Sequence, residues 1–121
     1  IAAAITSEAG SSSVFEAGYV VYSNRIKQHS LGVPLSLLAE HGAVSEAVVI
    51  AMAEGAIEKS AADIAVSISG IAGPGGGTTE KPVGLVWMAW GKAGKITARK
   101  FFLPMGRLGF QRTATALAIT P

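Results

Sequence analysis

The sequence predicts an α/β fold: a single domain built as a three-layer α/β/α sandwich with a mixed β-sheet. Three observations carry this expectation. Residues 82–90 form a nearly continuous apolar run, as a central strand covered on both faces requires. Residues 45–60 place apolar side chains at helical rather than alternating spacing. Helical segments alternate along the chain with apolar strands, and layers of helix on a sheet are the stable way to bury both.

Taken in order, residues 1–8 have the character of a helix end, stopped by Gly10 and a Ser11-Ser12-Ser13 turn. Residues 14–22 are rich in β-branched and aromatic side chains and predict a strand. Residues 24–30 predict a short helix closed by Gly32, and Pro34 can open the next, which ends at His41-Gly42. Ser45 is placed to cap the longest helix, running to about Ser60. Val44, Val48, Ala51, Met52 and Ala56 make its stripe, and Val49, Ile50 and Ile57 widen it, so it should touch neighbours on more than one side. Gly55 weakens such a helix by ~1 kcal/mol relative to alanine, and close approach of another backbone is the expected compensation.

Residues 63–69 alternate, with Ile64, Val66 and Ile68 on one face. After the apolar strand of residues 82–90, Gly91-Lys92-Ala93-Gly94 forms a short turn. Residues 95–103 should therefore return antiparallel. Residues 107–119 predict a final helix. Trp87 and Trp90 fall in the central strand, where a core role is expected. Trp90 with Phe101 and Phe102 would alternatively form an exposed apolar edge suited to a protein partner.

Composition narrows the function. Half of the 121 residues are hydrophobic (50%) and 15% are charged, enough for one core. No apolar run approaches the ~18–20 residues of a membrane span, and no secretory signal pattern is present. The chain has no cysteine, hence no disulfide or thiolate ligand. A cytoplasmic protein is the expectation. All 8 acidic residues lie at or before Glu80, whereas Lys81, Lys92, Lys95, Arg99, Lys100, Arg107 and Arg112 follow it. That split favours an anionic ligand. Nucleic acid is not expected, because no array of aromatics accompanies the basic residues.

The strongest local feature is Ser69-Gly70-Ile71-Ala72-Gly73-Pro74-Gly75-Gly76-Gly77-Thr78-Thr79, directly after a strand. Glycines let backbone N–H groups converge on an anion. The run is neither a P-loop nor a dinucleotide fingerprint, and a flexible turn is the plain alternative. The second feature is Tyr22-Ser23-Asn24-Arg25-Ile26-Lys27. Lys27 can act as a base only if burial or nearby cations lower its pKa; otherwise it is a solvated lysine. His29 and His41 lie on different elements without paired ligands, so no metal site is expected. Ser67 lacks the Gly-x-Ser-x-Gly context of a hydrolase elbow.

These blocks together resemble the CinA carboxy-terminal domain family. The resemblance runs from Gly10-Ser11-Ser12 and Gly18-Tyr19-Val20-Val21-Tyr22-Ser23-Asn24 through His41-Gly42-Ala43-Val44-Ser45-Glu46 and Met52-Ala53-Glu54-Gly55-Ala56. It is closest from Ala62 through Gly70-Ile71-Ala72-Gly73-Pro74-Gly75-Gly76 to Gly84. It implies an amidase that converts nicotinamide mononucleotide to nicotinate mononucleotide and ammonia, with no cofactor and no metal. A binding or regulatory module of the same fold is the alternative. The catalytic residues it implies here are Tyr22, Lys27 and Ser69, the last standing where the family usually has threonine. The substrate-binding residues it implies are Gly70, Ile71, Ala72, Gly73, Gly75 and Gly76, with Arg107 and Arg112 for the phosphate. The partners expected are the nucleotide and further copies of the chain in a homo-oligomer.

The family's serine nucleophile belongs to a Glu-Ser-Cys-Thr-Gly-Gly block that these residues do not contain; it is expected upstream of Ile1, with a degenerate homologue that lacks it as the alternative. The family's Gly-Asp-Arg is here Met105-Gly106-Arg107, without the aspartate.

Overall fold

The computed structural model describes residues 1–119. Helix α1 (Ala2–Thr6) and a 3₁₀ turn (Ser11–Ser13) precede α2 (Asn24–Leu31), α3 (Leu35–His41) and α4 (Glu46–Ser60). Strands β1 (Ala65–Gly70), β2 (Leu85–Lys92) and β3 (Lys95–Phe102) follow, and α5 (Arg107–Ile119) ends the described chain.

The α/β class and its three layers are as expected. One face of the sheet meets α4: Val49 and Ala53 pack on Ala89, with Ala65, Trp87, Ile96 and Ala98 around them. The other meets α5: Phe110, Ala114 and Ala118 pack on Val86, Met88 and Leu103, with Val66 and Ile68 beside them. Alternation along β2 explains this split, since successive side chains point to opposite faces. Both sets are apolar, so the run looked continuous in sequence.

Helix α4 also turns Val48 and Met52 toward Leu31 of α2 and Leu38 of α3, which accounts for its wide stripe. The Ser45 hydroxyl accepts from the Val48 amide at 3.3 Å, the expected cap. Gly55 is buried, and a Cβ built there would lie 1.8 Å from the backbone oxygen of Leu31. The anticipated close approach is therefore between α4 and the end of α2.

Several expectations need correction. Strand pairing is antiparallel throughout the described residues, in the order β1-β2-β3, rather than mixed. The connection from β1 to β2 carries no helix to take the chain across the sheet, so β2 returns directly alongside β1. Residues 14–22 form no strand. A strand exists only by pairing and burying a face, and this stretch has no strand partner among the described residues. It leaves Val14, Val20 and Tyr22 80%, 94% and 87% exposed. Ile64 precedes β1 and is also exposed, so it does not share the buried face of Val66 and Ile68.

Trp90 does not form an exposed edge. It is half-buried beside Phe101, and its indole N–H donates to the Ala118 carbonyl at 2.7 Å, tying β2 to α5. Phe102 alone of the three aromatics is exposed. β2 begins at Leu85, later than the apolar pattern suggested, because Pro82 has no N–H to pair and Gly84 turns the chain at φ +99°. No helix among the described residues is long and apolar enough to cross a membrane.

Candidate active site

Lys27 owes its place to the way α2 is started and stopped. The Ser23 hydroxyl accepts from the Ile26 amide at 3.2 Å, capping the first turn. At the other end Gly32 adopts the left-handed conformation, φ 71°, and its amide donates to the Gln28 carbonyl. That bond is the αL closure of a helix end, and the Val33 amide also donates to the Lys27 carbonyl. Lys27 and Leu31 are four residues apart, on one face of α2, and both are buried. α2 packs on α4.

Lys27 is thus 6% exposed. Its Nζ donates to the Tyr22 carbonyl at 3.1 Å. Burial disfavours the charged form, and the Lys27 pKa is lowered from its ordinary 10.5 by desolvation. That answers the main question about Lys27: it is not a solvated surface lysine. Tyr22 reaches it through the backbone, whereas the Tyr22 ring is exposed.

Ser69 is half-buried near the end of β1, opposite Trp87 in the register. It shares a strand face with Ser67, whose hydroxyl donates to the Val49 carbonyl of α4 at 2.5 Å. Ser69 therefore lies on the α4 side of the sheet, the side on which α2 also packs.

The glycine-rich run is an ordered loop between β1 and β2. Its ends are zipped: the Ile71 amide donates to Leu85 and the Gly84 amide to Ile71, at 2.9 and 2.7 Å. A turn closes its far side. There the Thr78 amide donates to the Lys81 carbonyl and the Lys81 amide to the Thr78 hydroxyl. Several glycines are fixed by packing. A Cβ at Gly70 would meet Phe110 at 2.6 Å, one at Gly73 would meet Val83 at 2.4 Å, and one at Gly77 would meet the Val83 backbone at 2.7 Å. Gly75 differs, with open space around it and no positive φ. The amides of Gly75, Gly76 and Gly77 donate to no acceptor among the described residues. Ile71 and Ala72 are half-buried at the entry to the loop.

The two arginines part company. Arg107, in the first turn of α5, donates through Nη1 to the Gly73 carbonyl at 2.9 Å. Arg112 stands five residues further on, about 140° round the helix at 100° per residue, and is exposed. One basic residue that the sequence did not single out from the others is Lys81, whose ammonium donates to the His41 carbonyl at the end of α3. Nothing in its local sequence announces a contact spanning 40 residues.

A buried lysine of lowered pKa and a glycine loop with free amides at the carboxyl end of a strand are the two candidate features that this α/β/α domain offers a small molecule. The chain belongs to the CinA C-terminal domain family, whose model matches residues 1–120. It is 50% identical over 119 residues to a CinA-like protein of Colwellia psychrerythraea and spans 98% of itself but 28% of that relative. It is 52% identical over 120 residues to the Escherichia coli K12 protein named nicotinamide-nucleotide amidohydrolase PncC, covering 98% of this chain and 73% of that one. Among solved structures, the competence/damage inducible protein CihA of Agrobacterium tumefaciens superposes with a TM-score of 0.95 at 40% identity. That match covers 98% of this chain and 73% of the other.

Gly75 offers a direct test of the loop. Gly75→Val puts a branched side chain into open space beside free amides, so it should raise the Michaelis constant for the ligand about tenfold. The melting temperature should stay within about 2 °C of wild type, since surface changes cost little. Steady-state kinetics and thermal unfolding of the same sample check both. An unchanged Michaelis constant would remove the loop from the site.

Proposed function

We propose that this domain hydrolyses the carboxamide of nicotinamide mononucleotide to nicotinate mononucleotide and ammonia, with Lys27 as general base. The observation that carries the proposal is the buried Lys27 ammonium of lowered pKa, in a chain half identical to a protein named for that activity.

In this reading neutral Lys27 takes the proton of a serine hydroxyl as its oxygen bonds to the carboxamide carbon. The carbonyl electron pair moves to oxygen, and the Ser69 hydroxyl with backbone N–H groups near Gly70 steadies that oxyanion. Lys27 then returns the proton to the departing nitrogen, which leaves as ammonia, and water cleaves the resulting ester. The serine is the one implied by the family resemblance. Tyr22 holds the lysine through its carbonyl, and its hydroxyl assists the proton transfer. The free amides of Gly75, Gly76 and Gly77 take the phosphate or ribose, with Arg112 as a further cation for the phosphate.

The experiment is ammonia release from nicotinamide mononucleotide by the intact protein, beside calorimetric binding of the same nucleotide. Saturable turnover is expected. Saturable binding without ammonia would instead make the domain a nucleotide-binding module, and neither result would sink both readings. Analytical ultracentrifugation across a range of concentrations tests the proposed homo-oligomer, which a concentration-independent monomer would contradict.

A further inference from the structure

The glycine loop touches two cations, and neither contact is the one a free basic residue would make. Arg107 lies in the first turn of α5, where the exposed N–H groups of the helix already present positive charge and acidic residues are absent. A cation is disfavoured there unless something draws it away. The Gly73 carbonyl does so, accepting from Nη1 at 2.9 Å. Gly73 is buried, with φ 78° and Val83 against it, so this carbonyl is a fixed point rather than a passing contact.

Lys81 makes the matching contact at the other end of the loop. Its ammonium donates to the His41 carbonyl, one of the carbonyls that α3 leaves without an intrahelical partner at its carboxyl end. The helix dipole favours a cation at this end. Gly42 clears the way: a Cβ there would lie 2.8 Å from the Lys81 Nζ. The Thr78–Lys81 turn passes the anchorage back into the loop. Between the two anchors the loop is exposed, and Gly75, Gly76 and Gly77 keep their amides free.

We infer that Arg107 and Lys81 form a two-point clamp that holds the glycine loop in its ligand-ready shape, fastening it to α5 and α3, and that Arg107 serves as a positioning residue rather than as the phosphate ligand. The inference rests on the proposed amidase reading for the identity of the ligand, but not for the clamp itself. Glycine-rich chain loses much conformational freedom when it is ordered, so a loop shaped in advance binds more tightly than one shaped by its ligand.

The test is hydrogen exchange of the ligand-free, full-length protein, comparing wild type with Arg107→Met, Arg107→Lys and Lys81→Met. Arg107→Met and Lys81→Met should each speed exchange at least about tenfold in peptides covering residues 71–84, with α4 peptides unchanged as the folding control. Arg107→Lys, which keeps a donor, should restore most of the protection. With nicotinamide mononucleotide, both methionine variants should raise KM about tenfold and alter kcat less than about twofold.

Loop exchange equal to wild type in both methionine variants overturns the clamp, and a raised KM for Arg107→Met alone would then make Arg107 a direct ligand. A loss confined to kcat also overturns it. If the wild type neither binds nor cleaves the nucleotide, the amidase reading fails, and the exchange data decide the clamp by themselves.

Discussion

Lys27→Met in the full-length protein should lower ammonia release from nicotinamide mononucleotide by ~10²–10⁴-fold, the usual contribution of a positioned general base. The same substitution should raise thermal stability. Lys27 is buried with no acidic partner among the described residues, so burial works against its charged form, and a methionine of similar length would occupy the place without that cost. The lost contact is one hydrogen bond to the carbonyl of Tyr22, a residue that water already reaches. An inactive variant that melts a few degrees higher than wild type is the expected result, and unimpaired turnover would refute the role of Lys27.

The pH dependence follows the same group. Because the Lys27 pKa is lowered by desolvation, the unfolded chain binds more protons than the native one between the native value and the ordinary 10.5. Stability therefore rises with pH through that window and is lost as pH falls through the native pKa. Turnover should rise over the same range, as neutral lysine becomes available to accept a proton. Lys27→Met should flatten this component of the stability profile, which denaturation at a series of pH values would reveal.

Gly55→Ala should be among the most damaging small substitutions on the protein. Its methyl group would have to occupy a position 1.8 Å from the Leu31 carbonyl oxygen, and a backbone atom cannot swing aside as a side chain can. Either α2 and α4 separate or α2 loses its last turn. Overpacking costs ~1–3 kcal/mol, and the obstacle here places Gly55→Ala at the upper end. The better helix propensity of alanine returns about 1 kcal/mol, so the net loss expected is about 2 kcal/mol. Urea denaturation should show a lower midpoint at unchanged slope. Since α2 also carries Lys27, the separation would hydrate the ammonium and bring its pKa back toward the ordinary value. A wild-type midpoint for Gly55→Ala would contradict the close approach.

Much of the fold was legible because its signals are local. Gly32 ends one helix and Ser45 begins another through bonds to residues three or four positions away. The Gly91–Gly94 turn returned β3 antiparallel, as expected. Residues 14–22 show where such reading fails, since β-branched and aromatic composition reports only the capacity to pair. The pairing partner is a property of the whole sheet, and no strand joins this stretch among the described residues.

The sequence by itself determined the α/β class, the helix ends, the position of the glycine loop after β1 and the presence of a lysine that burial could activate. Tertiary structure alone decided that Lys27 is buried, because that depends on α2 lying close enough to α4 to press Gly55 against Leu31. It also decided which cations serve the loop. Lys81 reaches back to His41 and Arg107 reaches back to Gly73, 40 and 34 residues along the chain. The physical reason is common to both: desolvation and long-range hydrogen bonding arise from neighbours that packing brings together, and chain-local patterns such as spacing, propensity and caps carry no record of them.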